Sequence, residues 1–207
     1  MKTIVVILLL GIALAKDAPI FADSFKIAFD ETDIINNTKY TISGQMFYDA
    51  ANNRERIDRT NGRYENFCSS ILPNTTTSCT HTVVNGKRYI IFPQKRVCCF
   101  CCDSAHGCGI LKRDWLKGAQ YLGQEVLVDT VYDKWEQDGV ETNYWWATTD
   151  QKQIMRRLAS SKRLVMDFLP HTYVEKKFED SVFALPDYCN TTCPSSSLCG
   201  GFQLRAQ

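Results

Sequence analysis

Apolar and polar residues alternate along most of the chain, a period of two that predicts strands with one face turned inward. Phe25-Lys26-Ile27-Ala28-Phe29 is one such run, and Tyr40 to Tyr48 is a second, with Tyr40, Ile42, Met46 and Tyr48 on one side. The turn-prone Ala50-Ala51-Asn52-Asn53 then leads into Arg54 to Arg59, predicting a hairpin. Val83 to Phe92 reads as a hairpin about Asn85-Gly86, because Asn-Gly accepts the positive φ angles of a type I′ turn. Pro93 ends it by removing a backbone donor. Further on, Gln124 to Trp135 reads as one strand, Gln137-Asp138-Gly139 as a turn and Val140 to Ala147 as the partner strand. Gln153 to Ala159 and Lys162 to Phe168 read as another pair around Ser160-Ser161, although Ile154, Met155 and Leu158 also fit one helical turn. Leu111 to Ala119 is predicted as a short helix.

The segment Gln124 to Trp135 is apolar on both sides. Val126, Val128 and Tyr132 share one face of a continuous strand, and Leu127, Val131 and Trp135 share the other. The adjacent Trp145-Trp146 sends one indole to each face. Two buried faces require a covering layer or an apolar cavity. Both readings stay open, and the cavity reading makes Val126, Val128, Tyr132, Trp135, Tyr144, Trp145 and Trp146 the candidate pocket residues.

The first fifteen residues change the picture of where this happens. Lys2, an apolar run from Ile4 and a small-residue end at Ala13-Leu14-Ala15 form the pattern of a cleaved signal peptide, too short to span a bilayer. Residues 1–15 are therefore read as signal peptide and 16–207 as one secreted β-rich domain, with no linker, internal period or second apolar run. Asn36, Asn74 and Asn190 each begin an N-x-Thr sequon, an acceptor pattern for glycosylation. The chain's 24 Lys+Arg against 23 Asp+Glu leave no cationic excess for nucleic acid.

Ten cysteines stand at 68, 79, 98, 99, 101, 102, 108, 189, 193 and 199. In an oxidising lumen they predict five disulfides. Cys98, Cys99, Cys101, Cys102 and Cys108 crowd together with His106, which also fits overlapping C-x-x-C pairs for zinc or for thiol redox chemistry. The structural reading leads. In it the cluster forms a knot that staples Cys68, Cys79 and the tail Cys189, Cys193 and Cys199, with no metal and no cofactor required.

A catalytic frame is missing from the sequence. His81, His106 and His171 sit in no nucleophile, zinc-protease or phosphate-loop motif, so no catalytic residue is assigned, although triads assemble from distant segments and an enzyme is not excluded. The charges Arg54, Glu55, Arg56, Asp58, Arg59 and Arg63 read as a solvated, ion-paired sheet face, with an anion site as the alternative.

One ordered set of residues carries a resemblance. It runs from Tyr48-Asp49 with Arg54, Arg56 and Arg59, through Tyr64 to Cys68, Tyr89 to Pro93, the Cys98 to Cys102 pairs and Gly107-Cys108-Gly109. It continues with Trp115-Leu116, Tyr121 to Gly123, Asp133-Lys134-Trp135 with Gly139, Asn143-Tyr144-Trp145, and Phe183-Ala184-Leu185-Pro186 to Cys189. This order resembles a family of small secreted glycoproteins of invertebrates and protists, distantly similar to the ependymin-related proteins. The resemblance implies a mainly β (α+β) fold: a curved antiparallel half-barrel, like the bacterial lipoprotein carriers, wrapped partly around a short helical segment and stapled by disulfides. It implies an apolar pocket for a lipid-like ligand and no catalytic residues. Calcium association belongs to the ependymins, but this chain has no EF-hand loop, and its dense cysteine group goes beyond theirs.

The leading expectation is a secreted disulfide-rich glycoprotein that binds an apolar small molecule. The alternative is a structural or adhesive matrix or cell-surface glycoprotein with an extracellular protein partner. A hydrolase with an unrecognised site is the third.

Overall fold

The computed structural model describes residues 16–203 except 36, 140 and 161–163. The predicted signal peptide, Asn36 and the Ser161 turn lie outside the described residues. Among the described residues thirteen strands form one sheet: β1 Ser24–Ile35, β2 Thr38–Asp49, β3 Arg54–Arg59, β4 Cys79–Val84, β5 Lys87–Phe92, β6 Val97–Asp103, β7 Gln120–Leu127, β8 Thr130–Gln137, β9 Asn143–Thr148, β10 Met155–Ser160, β11 Leu164–Phe168, β12 Val174–Glu175 and β13 Thr191–Thr192. Their order is β13-β6-β5-β4-β3-β2-β1-β11-β10-β9-β8-β7, with β12 beside β1. All pairings are antiparallel except β13 on β6. Among the described residues two six-residue helices, α1 Asn66–Ile71 and α2 Leu198–Gln203, pack at the cysteine-rich end, with α2 against β6 and α1.

Strand register transmits one apolar face across the centre of the sheet. Ile27 lies opposite Met46 and Met46 opposite Ile57; Phe29 lies opposite Phe168, Leu158 opposite Met166, Trp145 opposite Leu158, and Trp135 opposite Trp145. These side chains build the main core with Phe25, Tyr48 and Phe21. Gly44 is forced by this packing, since a Cβ there would overlap the Phe29 ring and stand 2.5 Å from the Asp58 carbonyl oxygen.

The Asn85-Gly86 hairpin forms as predicted, with φ of 52° and 71° at the two turn residues. Met155–Ser160 is a strand, not a helical turn. Two readings are corrected. Leu111 to Ala119 is not a helix but a run of tight turns, in which Trp115, Lys117 and Ala119 donate to the carbonyls three residues back. Its Lys-Gly-Ala end and Gly118 at φ 85° break the i to i−4 ladder. Nor is Gln124 to Trp135 one strand. The chain reverses at Val128-Asp129, both at positive φ, so that Val126 pairs with Val131. The parity assumed for a continuous strand therefore fails beyond Leu127.

All ten cysteines are bonded, as Cys68–Cys79, Cys98–Cys189, Cys99–Cys193, Cys101–Cys199 and Cys102–Cys108. Three bridges tie the tail to β6 as the knot reading required. The link from that knot to Cys68 and Cys79 is corrected: those two bond each other. Cys79 stands on β4, two strands from β6, and at about 4.8 Å per strand the gap exceeds the roughly 7 Å that a disulfide spans between Cα atoms.

Candidate functional site

The apolar face of the central strands is incompletely filled. Met46, Ile57, Trp145, Met155, Leu158, Met166 and Phe168 line a chamber of about 160 Å³, closed by Phe21 and Leu111. Its polar wall is Glu55 and Arg88. Glu55 is only 3% exposed, and burial pushes its carboxyl above the usual range despite Arg88 and Arg59 nearby. The guanidinium of Arg88 lies 3.5 Å from Glu55 and is fixed by donating to the Cys108 carbonyl at 3.2 Å and the Gly109 carbonyl at 3.0 Å. The Cys102–Cys108 bridge anchors that loop.

The cover is tethered at several points. Phe21 N–H donates to the Arg113 carbonyl at 3.0 Å, Arg113 Nε donates to the Phe21 carbonyl at 2.7 Å, and Tyr48 hydroxyl donates to the Leu111 carbonyl at 2.7 Å. Outside the chamber lies a wider groove of about 700 Å³. It shares Arg88 and Leu111 with the chamber and adds Tyr48, Asn53, Lys112, Arg113 and the 104–110 loop. The indole N–H of Trp145, in the chamber wall, is buried with no hydrogen-bond partner among the described residues.

Of the residues expected to line a pocket, the structure brings Trp135 and Trp145 into the core beside the chamber, with only Trp145 in its wall. Tyr132, Tyr144 and Trp146 gather on the opposite face with Leu127, where Lys134 Nζ stands 4.8 Å over the Trp146 ring. Val126 and Val128 end up at the β7–β8 hairpin tip, 63% and 81% exposed. Sequence reasoning missed Glu55, Arg88 and the methionines. The alternation in β3 held the signal, since it turns Glu55, Ile57 and Arg59 to the apolar face and leaves Arg56 and Asp58 half-exposed on the other. The solvated-face reading is thereby corrected for Glu55 and Arg59. Both are buried, because partners from other strands, Arg88 and Glu31, compensate their charges.

The histidines do not converge. His171 is exposed, and His106 pairs with Asp103. His81 is buried, its Nε2 at 3.1 Å from Glu65 and 3.4 Å from Cys68 Sγ. Burial and the nearby Arg59 push its pKa down to about 4 against the pull of Glu65. Glu65, the N-cap of α1, is held at about 2; burial opposes this, but His81, Arg59 and the Cys68 N–H outweigh it. The sulfurs near His81 and in the Cys101–Cys102–Cys108 group are bonded in disulfides, so they offer no thiolate to a metal.

A search of curated proteins finds no match by sequence. Among solved structures, the fold resembles an uncharacterized conserved protein from Thermus thermophilus, with 6% identity, 81% of this chain and 88% of that chain covered, and a TM-score of 0.50. Also similar are the LolA superfamily protein NE2245 from Nitrosomonas europaea (10% identity, 79% and 90% covered, TM-score 0.39) and a DUF1329 family protein from Desulfovibrio piger (9%, 78% and 90%, 0.37). At these identities the likeness is one of fold, and the Thermus protein carries it. Residues 28–189 match the family model described as a domain of unknown function, DUF8395, and the chain belongs to that family.

Proposed function

We propose that this protein holds an apolar, lipid-like ligand in the chamber between the sheet and its tethered cover. The observation that carries the reading is the chamber itself, an unfilled volume of about 160 Å³ walled by apolar side chains from five strands. Packed cores leave few voids of this size, and an engineered apolar cavity of about 150 Å³ takes up benzene. The chamber therefore matches one ring or a chain end, with the remainder of a longer ligand in the groove. Export is part of the proposal. Five disulfides, and the absence among the described residues of a helix able to cross a membrane, are compatible with it. Asn74 and Asn190 are exposed, as glycan acceptors must be. Kinship with the ependymin-related proteins belongs to the same proposal, supported by aromatic and cysteine spacing.

Native mass spectrometry of protein secreted by a eukaryotic host and purified without detergent should reveal a non-covalent adduct of a few hundred daltons. A bare mass, together with no uptake of the neutral dye Nile red, would sink the proposal. A second reading is adhesion. Val126, Val128 and Val131 form an exposed apolar tip at the edge of the sheet, which favours a protein partner. Serine at all three positions should then abolish self-association in sedimentation, and a wild-type protein that sediments as a monomer at all concentrations would remove self-adhesion as that partner.

A further inference from the structure

The chamber and the groove meet at Arg88 and Leu111, so a ligand whose tail fills the chamber must present its other end at the Arg88 guanidinium. Charge in the groove is one-sided. Arg88, Lys112 and Arg113 line it against a single acid, Asp114. Arg113 is already committed to Asp23 at 2.6 Å and to the Phe21 carbonyl, whereas Lys112 is exposed and has no ion-pair partner among the described residues. Of the acids beside that lining, Asp23 is paired with Arg113, and Glu55 is buried in the chamber wall, where desolvation already favours its neutral form. Its pairing with Arg88 is long, at 3.5 Å, so a better anion can take its place.

We propose that the ligand is an anionic amphiphile, with its tail among the methionines of the chamber and its carboxylate or phosphate head held in the groove by Arg88 and Lys112. This rests on the pocket reading above and adds the chemistry of the head. Neutral lipids lose the two cations, and a cationic head would face them unscreened, since Glu55 lies behind Arg88.

The test is calorimetry at neutral pH with four probes of one tail length: decanoate, decyl phosphate, decanol and decylammonium. At least one of the two anions should bind tenfold or more tighter than decanol, and their ratio separates a carboxylate source from a phosphate source. Decylammonium should bind most weakly. Lys112→Gln, at an exposed position, should weaken the anions severalfold and leave decanol unchanged. Arg88→Gln should bring the anions to the decanol level, with circular dichroism checking that the 108–109 loop loss has not unfolded the protein. Decanol or decylammonium binding as tightly as both anions would overturn the head assignment and leave the pocket standing. Absence of binding by all four would overturn the pocket as well.

Discussion

Leu158→Trp separates a functional chamber from an accident of packing. Leu158 is half-buried on β10, opposite Trp145 and Met166, and its side chain lines the chamber. An unfilled core volume costs about 24 cal/mol per Å³. For a chamber of about 160 Å³ that opens on the groove this sets an upper bound of about 4 kcal/mol of forgone stability. An indole that fills half of it should recover up to about 2 kcal/mol, or at most about 4–8 °C in Tm for a chain of this size. Denaturant titration of the ligand-free protein would measure the gain, and decanol calorimetry would show binding reduced at least tenfold. The companion Leu158→Ala enlarges the space, so it should cost about 2–3 kcal/mol while binding survives. A tryptophan variant destabilised by more than about 1 kcal/mol would mean that the volume is not free for a side chain. Undiminished decanol binding in that variant would place the ligand elsewhere.

The tail bridges interleave along the chain, which sets their worth. Cys99–Cys193 alone would close 94 residues, worth about 4.6 kcal/mol, but with Cys98–Cys189 and Cys101–Cys199 intact it closes only a few, so serine at both positions should cost about 2 kcal/mol. A loss above 4 kcal/mol in urea titration would refute that independence from loop length. For His81 the folded pKa of about 4 lies below the value of about 6.5 in the unfolded chain, so the unfolded chain takes the proton first. Stability should fall between pH 6.5 and 4, by about 3 kcal/mol, and Glu65 extends the loss toward pH 2. His81→Asn should flatten the upper part of a urea-midpoint profile, and an unchanged slope would exclude His81 as its source. At the β7–β8 tip a β-branched residue holds φ 46°, so Val128→Asn should add about 1 kcal/mol and raise Tm. A lowered Tm would show that the valine contacts outweigh the strain.

What was legible along the chain depended on whether a local rule had competition. Asn85-Gly86 announced its hairpin because those two residues favour positive φ by themselves, and the apolar period of β1, β2, β10 and β11 announced their inward faces. Val128-Asp129 announced nothing. A valine is a strand former, and its positive φ is imposed by the pairing of Glu125 with Tyr132 and Val126 with Val131 on either side. That silent turn displaced the candidate pocket, since the face of each aromatic residue depends on the turn that precedes it. The chamber's polar wall was hidden for a related reason. Glu55 reads as a surface carboxylate until Arg88, 33 residues away, and Val83 are set beside it by the β3–β4–β5 pairing. Burial of that pair beside an apolar void carries a desolvation cost that its 3.5 Å contact repays poorly. The alternation that lets Ile57 join the core thus delivers the Glu55 carboxylate, and the β3–β4–β5 pairing delivers the Arg88 guanidinium, to the wall where an amphiphile would change from tail to head.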